Sequence, residues 1–143
     1  MITRLPQGLA VLAGKLVMSI APETASRFAT ANTGMIAMLL TAMAQDAERA
    51  VDARMTDIEE MKALFSSLAD APADPAQADA RAAFCTRHPA SLKLSDVDAL
   101  HRDGMTLLID LHAWAEEHDD ALSLGIWDFL VRHTERHRLD LSV

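Results

Sequence analysis

The fold is decided by residues 23–69, ETASRFATANTGMIAMLLTAMAQDAERAVDARMTDIEEMKALFSSLA, which contain no proline and a single glycine, Gly34. Apolar side chains recur there every three or four residues, which is the spacing of one face of an α-helix. This stripe consists of Phe28, Met35, Leu39, Met43, Ala50, Ile58, Met61, Phe65 and Leu68. Pro22 and Glu23 suit the first turn of a helix. The stretch therefore predicts a long second helix that begins near residue 22.

A bend in this helix is an open alternative. Thr56-x-x-Glu59 resembles a capping box, which is a signature of helix N-termini. An unbroken helix over the whole stretch would be about 70 Å long at a rise of 1.5 Å per residue. The sequence leaves open one continuous helix or two helices that meet near Met55.

Proline and aspartate divide the rest of the chain into shorter helices. Residues 70–75 contain two prolines and two aspartates and predict a flexible linker. A short helix follows to about Cys85, Ser95 caps a longer helix, and Asp119 begins the last one. Short connections between amphipathic helices make neighbours antiparallel. The sequence therefore predicts an all-α antiparallel bundle of four to six helices.

The length, net charge and cysteine content of the chain exclude or disfavour several classes of protein. A chain of 143 residues is the size of one domain, so residues 1–143 are expected to form a single helical bundle. The net charge of -8 disfavours a nucleic-acid binder, because phosphate neutralisation needs a basic surface. The single cysteine excludes an internal disulfide. No motif assigns the chain to a known family.

The N-terminal apolar run, residues 9–20, has one feature of a cleaved signal, the small-x-small pattern of Ser19, Ile20 and Ala21. Lys15 interrupts the run, however, and Pro22 follows the cleavage point. The run is also shorter than a hydrocarbon core of about 30 Å requires. We therefore expect a core or interface helix in a soluble, cytoplasmic protein that makes no membrane contact.

A methionine-rich part of the second helix, residues 34–44, is apolar nearly all round. A helix of this kind is buried on every side. In so small a domain, a second subunit can supply the cover, which predicts a homodimer packed through residues 34–44 and the N-terminal helix. The alternative is a central helix in a monomeric bundle. Methionine also suits a groove for a small apolar ligand. The candidate residues for the interface or pocket are Met35, Ile36, Met38, Leu39, Leu40 and Met43.

Three polar residues, Asn32, Asp46 and Arg54, interrupt the apolar stripe of the same helix. Buried ions must be paired, and such pairs can fix the register between helices. We therefore expect these residues to form buried polar contacts, with Asp46 facing an arginine.

The histidines near the C-terminus suggest a metal site. His133-x-x-x-His137 places two imidazoles one turn apart on one helix face. Residues 117–121 are expected to form the turn of a helical hairpin, so residues whose numbers sum to about 239 face each other. This register places His112 opposite Trp127. It also brings His101 to the end of the last helix, near His133 and His137. Asp98 lies one turn before His101. The sequence thus predicts a candidate site for a divalent transition metal at His101, His133, His137 and Asp98; the alternative is a solvated basic helix end.

No catalytic residues can be assigned from the sequence, so an enzyme is not favoured. The first functional hypothesis is a non-enzymatic protein that associates with itself or with a protein partner. The alternatives are a metal-binding protein or small metalloenzyme that uses the C-terminal histidines, and a binder of a small apolar ligand in the methionine-lined region. Only the metal-binding hypothesis requires a cofactor.

Overall fold

A computed structural model describes residues 4–68 and 77–140. Within these ranges the chain forms five α-helices and no strand, which confirms the predicted all-α bundle. The helices are α1 (Leu5–Lys15), α2 (Arg27–Ser67), α3 (Ala78–Cys85), α4 (Leu94–His118) and α5 (Asp120–His137). Between α1 and α2 the chain continues through a π-helical turn, Leu16–Ile20, and a 3-10 turn, Ala21–Glu23. The predicted linker at residues 70–75 lies outside the described residues.

Helix α2 continues through Met55 without a break, so the chain forms one continuous helix there rather than two. The Thr56 hydroxyl donates to the carbonyl of Asp52, four residues earlier, as threonine does inside a helix. The helix begins at Arg27 rather than near residue 22, because Thr24 adopts an extended backbone. The Thr24 hydroxyl donates to the carbonyl of Ala21 and closes the 3-10 turn instead.

The chain divides into two compact units, and the prediction of a single domain stays a prediction. Unit 1 contains Met1–Ala50 and Arg138–Val143, and unit 2 contains Val51–His137. Unit 2 holds the second part of α2 together with α3, α4 and α5. Its core consists of Ile58, Met61, Phe65, Phe84, Val97, Leu100, Leu108, Leu111, Ala115, Leu122, Ile126 and Phe129.

Helices α4 and α5 form an antiparallel hairpin. The turn is a single residue, Asp119, whose carboxylate accepts a hydrogen bond from the backbone N–H of Leu122 and caps α5 as predicted. The rings of His112 and Trp127 lie 5.4 Å apart between centroids, which is the pairing that the hairpin register predicts. This register determines which residues of α4 and α5 meet at the end of the hairpin.

Unit 1 exposes many large apolar side chains. Met35, Ile36, Met38, Leu39 and Met43 are exposed in the single chain, and Leu40 is half-buried. Within unit 1, this part of α2 is therefore not buried on every side. The expected homodimer remains a prediction.

One helical segment of the described chain, Leu5–Glu23, is long and apolar enough to cross a membrane by length and composition alone. It has 19 residues, a mean hydropathy of 1.3 and few buried positions. The segment is longer than the apolar run of residues 9–20 because α1 begins at Leu5 and the 3-10 turn extends the segment to Glu23. The run of residues 9–20 is too short by itself, but the helical segment that contains it is not, so length alone does not exclude a membrane span.

Candidate metal centre

Three histidines of unit 2 converge on one buried carboxylate. Asp57 is fully buried, and its Oδ2 atom lies 2.9 Å from His101 Nε2, 2.8 Å from His133 Nδ1 and 2.7 Å from His137 Nε2. These four ligand atoms all lie within 4.8 Å of one another. The side chains come from three helices, α2, α4 and α5, which meet at this point.

Regular helical spacing brings each of these side chains into the interior. Asp57 follows buried Ala53 and precedes buried Met61, each one turn away on the inner face of α2. His101 belongs to the buried face of α4. His133 continues the α5 stripe of Phe129, and their rings stack at a centroid distance of 6.0 Å. Side chains on these faces point toward the core because the apolar residues around them must be buried.

A second carboxylate neutralises the arginines beside the cluster. Arg136 Nη1 donates to Asp57 Oδ1, and Arg136 Nη2 donates to Glu60. Glu60 also accepts a hydrogen bond of 3.1 Å from Arg132 Nε. Arginines beside a cation site would repel the cation unless carboxylates intervened, and Glu60 is that carboxylate. Asp57 keeps its Oδ2 atom directed at the histidines, because Arg136 engages the other oxygen.

The cluster keeps Asp57 ionised. Burial by itself raises the pKa of the Asp57 carboxyl, but hydrogen bonds from His101, His137 and His133 outweigh it and hold this pKa well below its usual range. A buried carboxylate that remains charged is available as a metal ligand.

The number of donors at Asp57 Oδ2 is the most informative feature of the cluster. A carboxylate oxygen has about two lone-pair sites, yet three imidazole nitrogens lie within hydrogen-bond distance of this one atom. Each nitrogen must carry a proton to donate there. A metal ion among the four atoms would instead accept a lone pair from every one of them.

The structure brings together three of the four residues that the sequence singles out, His101, His133 and His137. Asp98 is not part of this cluster. Its Oδ1 atom pairs with Arg54 Nε at 2.9 Å, and its Oδ2 atom lies 3.4 Å from Arg102 Nε. Although Asp98 lies one turn from His101 on α4, its carboxylate pairs with Arg54 of α2 instead of joining the histidines.

Asp57 is the ligand that the sequence reasoning misses. Its signal is present, since an acidic residue stands between Ala53 and Met61 at intervals of four on the inner face of α2. The apolar stripe passes through Arg54 and Ile58, and Asp57 lies beside it rather than on it.

The three predicted polar residues of the α2 stripe have different environments. Arg54 of α2 is half-buried and pairs with Asp98 of α4. Asp46 is half-buried. Asn32 is exposed, which corrects the expectation that it is buried; it belongs to the part of α2 whose apolar neighbours are exposed as well.

Comparison with models of known families, with curated proteins and with solved structures finds no match to this chain. The geometry and chemistry of the cluster are therefore what point to a function.

Proposed function

We propose that this protein binds one divalent transition-metal ion through Asp57, His101, His133 and His137. The observation that carries the proposal is the convergence of three imidazole nitrogens and one carboxylate oxygen within 4.8 Å. A purely hydrogen-bonded cluster gives Asp57 Oδ2 more donors than its lone pairs accommodate, whereas a shared metal ion gives each atom one partner.

The donor set selects the class of ion. Imidazole nitrogens suit zinc, nickel, copper and iron, whereas calcium and magnesium prefer all-oxygen sites. Tetrahedral ligands of zinc lie about 3.3 Å apart, given zinc–nitrogen bonds of about 2.0–2.1 Å. The distances of 2.7–2.9 Å around Asp57 Oδ2 therefore require the carboxylate to move outward by about half an ångström. Zinc is the first ion to test.

The ligand set favours a structural role for the ion. Four protein ligands fill a tetrahedral shell, whereas catalytic zinc sites keep one position for water or substrate. The ligands come from α2, α4 and α5, so the ion would cross-link the three helices that enclose the core of unit 2.

The proposal is tested by titrating tag-free, metal-depleted protein with zinc chloride in a calorimeter and by following thermal unfolding. We expect about one ion per chain. At a free zinc concentration of about a hundred times the Kd, the free energy of unfolding should rise by about 2.7 kcal/mol, which raises Tm by about 10 °C. His133→Ala should abolish both effects.

His88→Ala is the matched control, because His88 is exposed and lies outside the cluster. It should bind zinc like the wild-type protein. Absence of stoichiometric binding in the wild-type protein, or equal binding by His133→Ala, would contradict the proposal and leave the four side chains as a buried hydrogen-bonded network.

A further inference from the structure

We propose that two copies of this chain pair through unit 1, with Met38 of one copy packed over Gly34 of the other. The surface in question is an apolar groove between α1 and α2, with a volume of about 540 Å³. Its lining includes Ala10, Ala13, Gly14, Gly34, Ala37 and Met38. This inference is independent of the metal site, whose ligands all belong to unit 2.

The groove has open spaces at two glycines and exposed methionine side chains that could fill such spaces in a second copy. A Cβ atom built on Gly14 or on Gly34 meets no other atom within 4 Å, so each glycine leaves an open space. Met18 follows Gly14 by one turn and Met38 follows Gly34 by one turn, and both methionines are exposed. The same surface thus carries projecting side chains and spaces to receive them, which is what a two-fold symmetric interface requires.

The charge pattern permits close approach of two copies. Residues 28–45 contain no charged side chain, so the N-terminal half of α2 presents no like charges to its own symmetry mate. Val17, Met18 and Met38 line the groove and are exposed in the single chain. Contiguous exposed apolar surface of this kind marks an interaction site.

A second copy fits this surface better than a lipid bilayer does. Lys15 lies in the middle of the apolar segment Leu5–Glu23 and is exposed, so spanning would place an ammonium group near the bilayer centre, which is costly. Asn32 is exposed on the apolar half of α2. In a protein dimer both groups can remain in contact with water at the rim of the interface.

The test is the solution mass of the full-length protein and of one groove-filling variant, measured by light scattering coupled to gel filtration. We expect the wild-type protein to have twice the chain mass of 15.6 kDa. Gly34→Leu should be a monomer, because the new side chain occupies the space that Met38 of the other copy needs. Since leucine is a better helix former than glycine, loss of the dimer cannot be attributed to a weakened helix.

Gly125→Leu is the matched control, because Gly125 is also helical and open within 4 Å but belongs to α5 in unit 2. It should remain a dimer. A monomeric wild-type protein, a larger oligomer, or a dimeric Gly34→Leu variant would overturn the inference. Flotation of the wild-type protein with phosphatidylcholine vesicles would overturn it in favour of a lipid partner.

Discussion

At the scale of single residues, the carboxylate of Asp57 is fully buried. Three histidine nitrogens lie within hydrogen-bond distance of its Oδ2 atom, and Arg136 donates to its other oxygen. Removing one partner from such a buried group leaves charges without compensation, which is strongly destabilising. Asp57 is therefore a stabilising residue of the metal-free protein as well as a candidate ligand.

Acid should remove the contribution of Asp57 to stability. The folded-state pKa of Asp57 is below the ordinary value of 3.8, so the unfolded chain takes up a proton first as the pH falls. This contribution is fully present above the ordinary pKa and is lost as the pH falls through the lower folded pKa. Urea titrations of metal-free protein should show this loss below about pH 4.

Asp57→Asn should be less stable by about 3 kcal/mol near neutral pH. Its free energy of unfolding should also fall less on acidification than that of the wild-type protein. Parallel pH profiles of the two proteins would contradict this assignment.

Glu60 should affect metal affinity without being a ligand. It accepts hydrogen bonds from Arg136 and Arg132, and its removal leaves their charge uncompensated beside the bound ion. Groups that support the ligands typically change metal affinity 10- to 100-fold when mutated. Glu60→Gln should weaken zinc binding by about that factor in calorimetry.

Glu59→Gln is the control for this variant. Glu59 is more exposed than Glu60 and pairs with Lys62 rather than with the arginines of α5. Its substitution should leave zinc affinity unchanged. Equal effects of the two variants would indicate a general loss of negative charge rather than a specific role of Glu60.

The convergence of the three histidines could be predicted from the sequence. For Asp57 the helical spacing indicates only a position beside the apolar stripe of α2, and not its contact with the histidines. The hairpin register brings His101 to His133 and His137 because one turn residue, Asp119, fixes how α4 and α5 align. Asp57 comes from a helix far away in the sequence, and no local rule gives the register of α2 against that hairpin. Asp98 lies one turn from His101 along the chain, but its carboxylate pairs with Arg54 instead.

At the scale of the helices, Gly104 allows α4 to pack closely in the core of unit 2. A Cβ atom at this position would lie 2.6 Å from Phe84 Cζ and 2.7 Å from Met61 Cε. Phe84 and Met61 are both buried, so the aromatic ring of α3 cannot move into open space. Close packing at this one position therefore depends on the absence of a side chain.

Gly104→Ala should lower the free energy of unfolding by about 1–3 kcal/mol, because the added methyl group overpacks the core. The expected loss of stability has the opposite sign to helix propensity, which favours alanine over glycine by about 1 kcal/mol. Gly125→Ala, on a helix position with open space, should leave stability unchanged or raise it. Urea unfolding of both variants tests the prediction, and an equal or greater stability of Gly104→Ala would contradict it.

The helices were more predictable than their ends. Apolar periodicity identifies α2, α4 and α5 because each must bury one face. The capping-box pattern at Thr56 was ambiguous, since a threonine hydroxyl can also bond to the preceding turn within a helix. The start of α2 shifted because Thr24 closes a 3-10 turn, a local hydrogen bond that competes with helix formation.

At the scale of the whole molecule, metal binding and dimerisation are expected to be separable. The candidate ligands belong to Val51–His137, and the apolar groove belongs to Met1–Ala50. Removal of metal by a chelator should therefore lower Tm and leave the dimer mass unchanged at a fixed protein concentration. Gly34→Leu should keep its full metal content. Dissociation of the dimer on chelation would contradict this separation.

The most direct test of the metal site is the metal content of tag-free protein, purified without chelator and measured by inductively coupled plasma mass spectrometry. We predict about one equivalent of a transition metal, most of it zinc, in the wild-type protein and in His88→Ala. His133→Ala and Asp57→Asn should contain almost none. Substoichiometric metal that is the same in all four proteins would contradict the metal site.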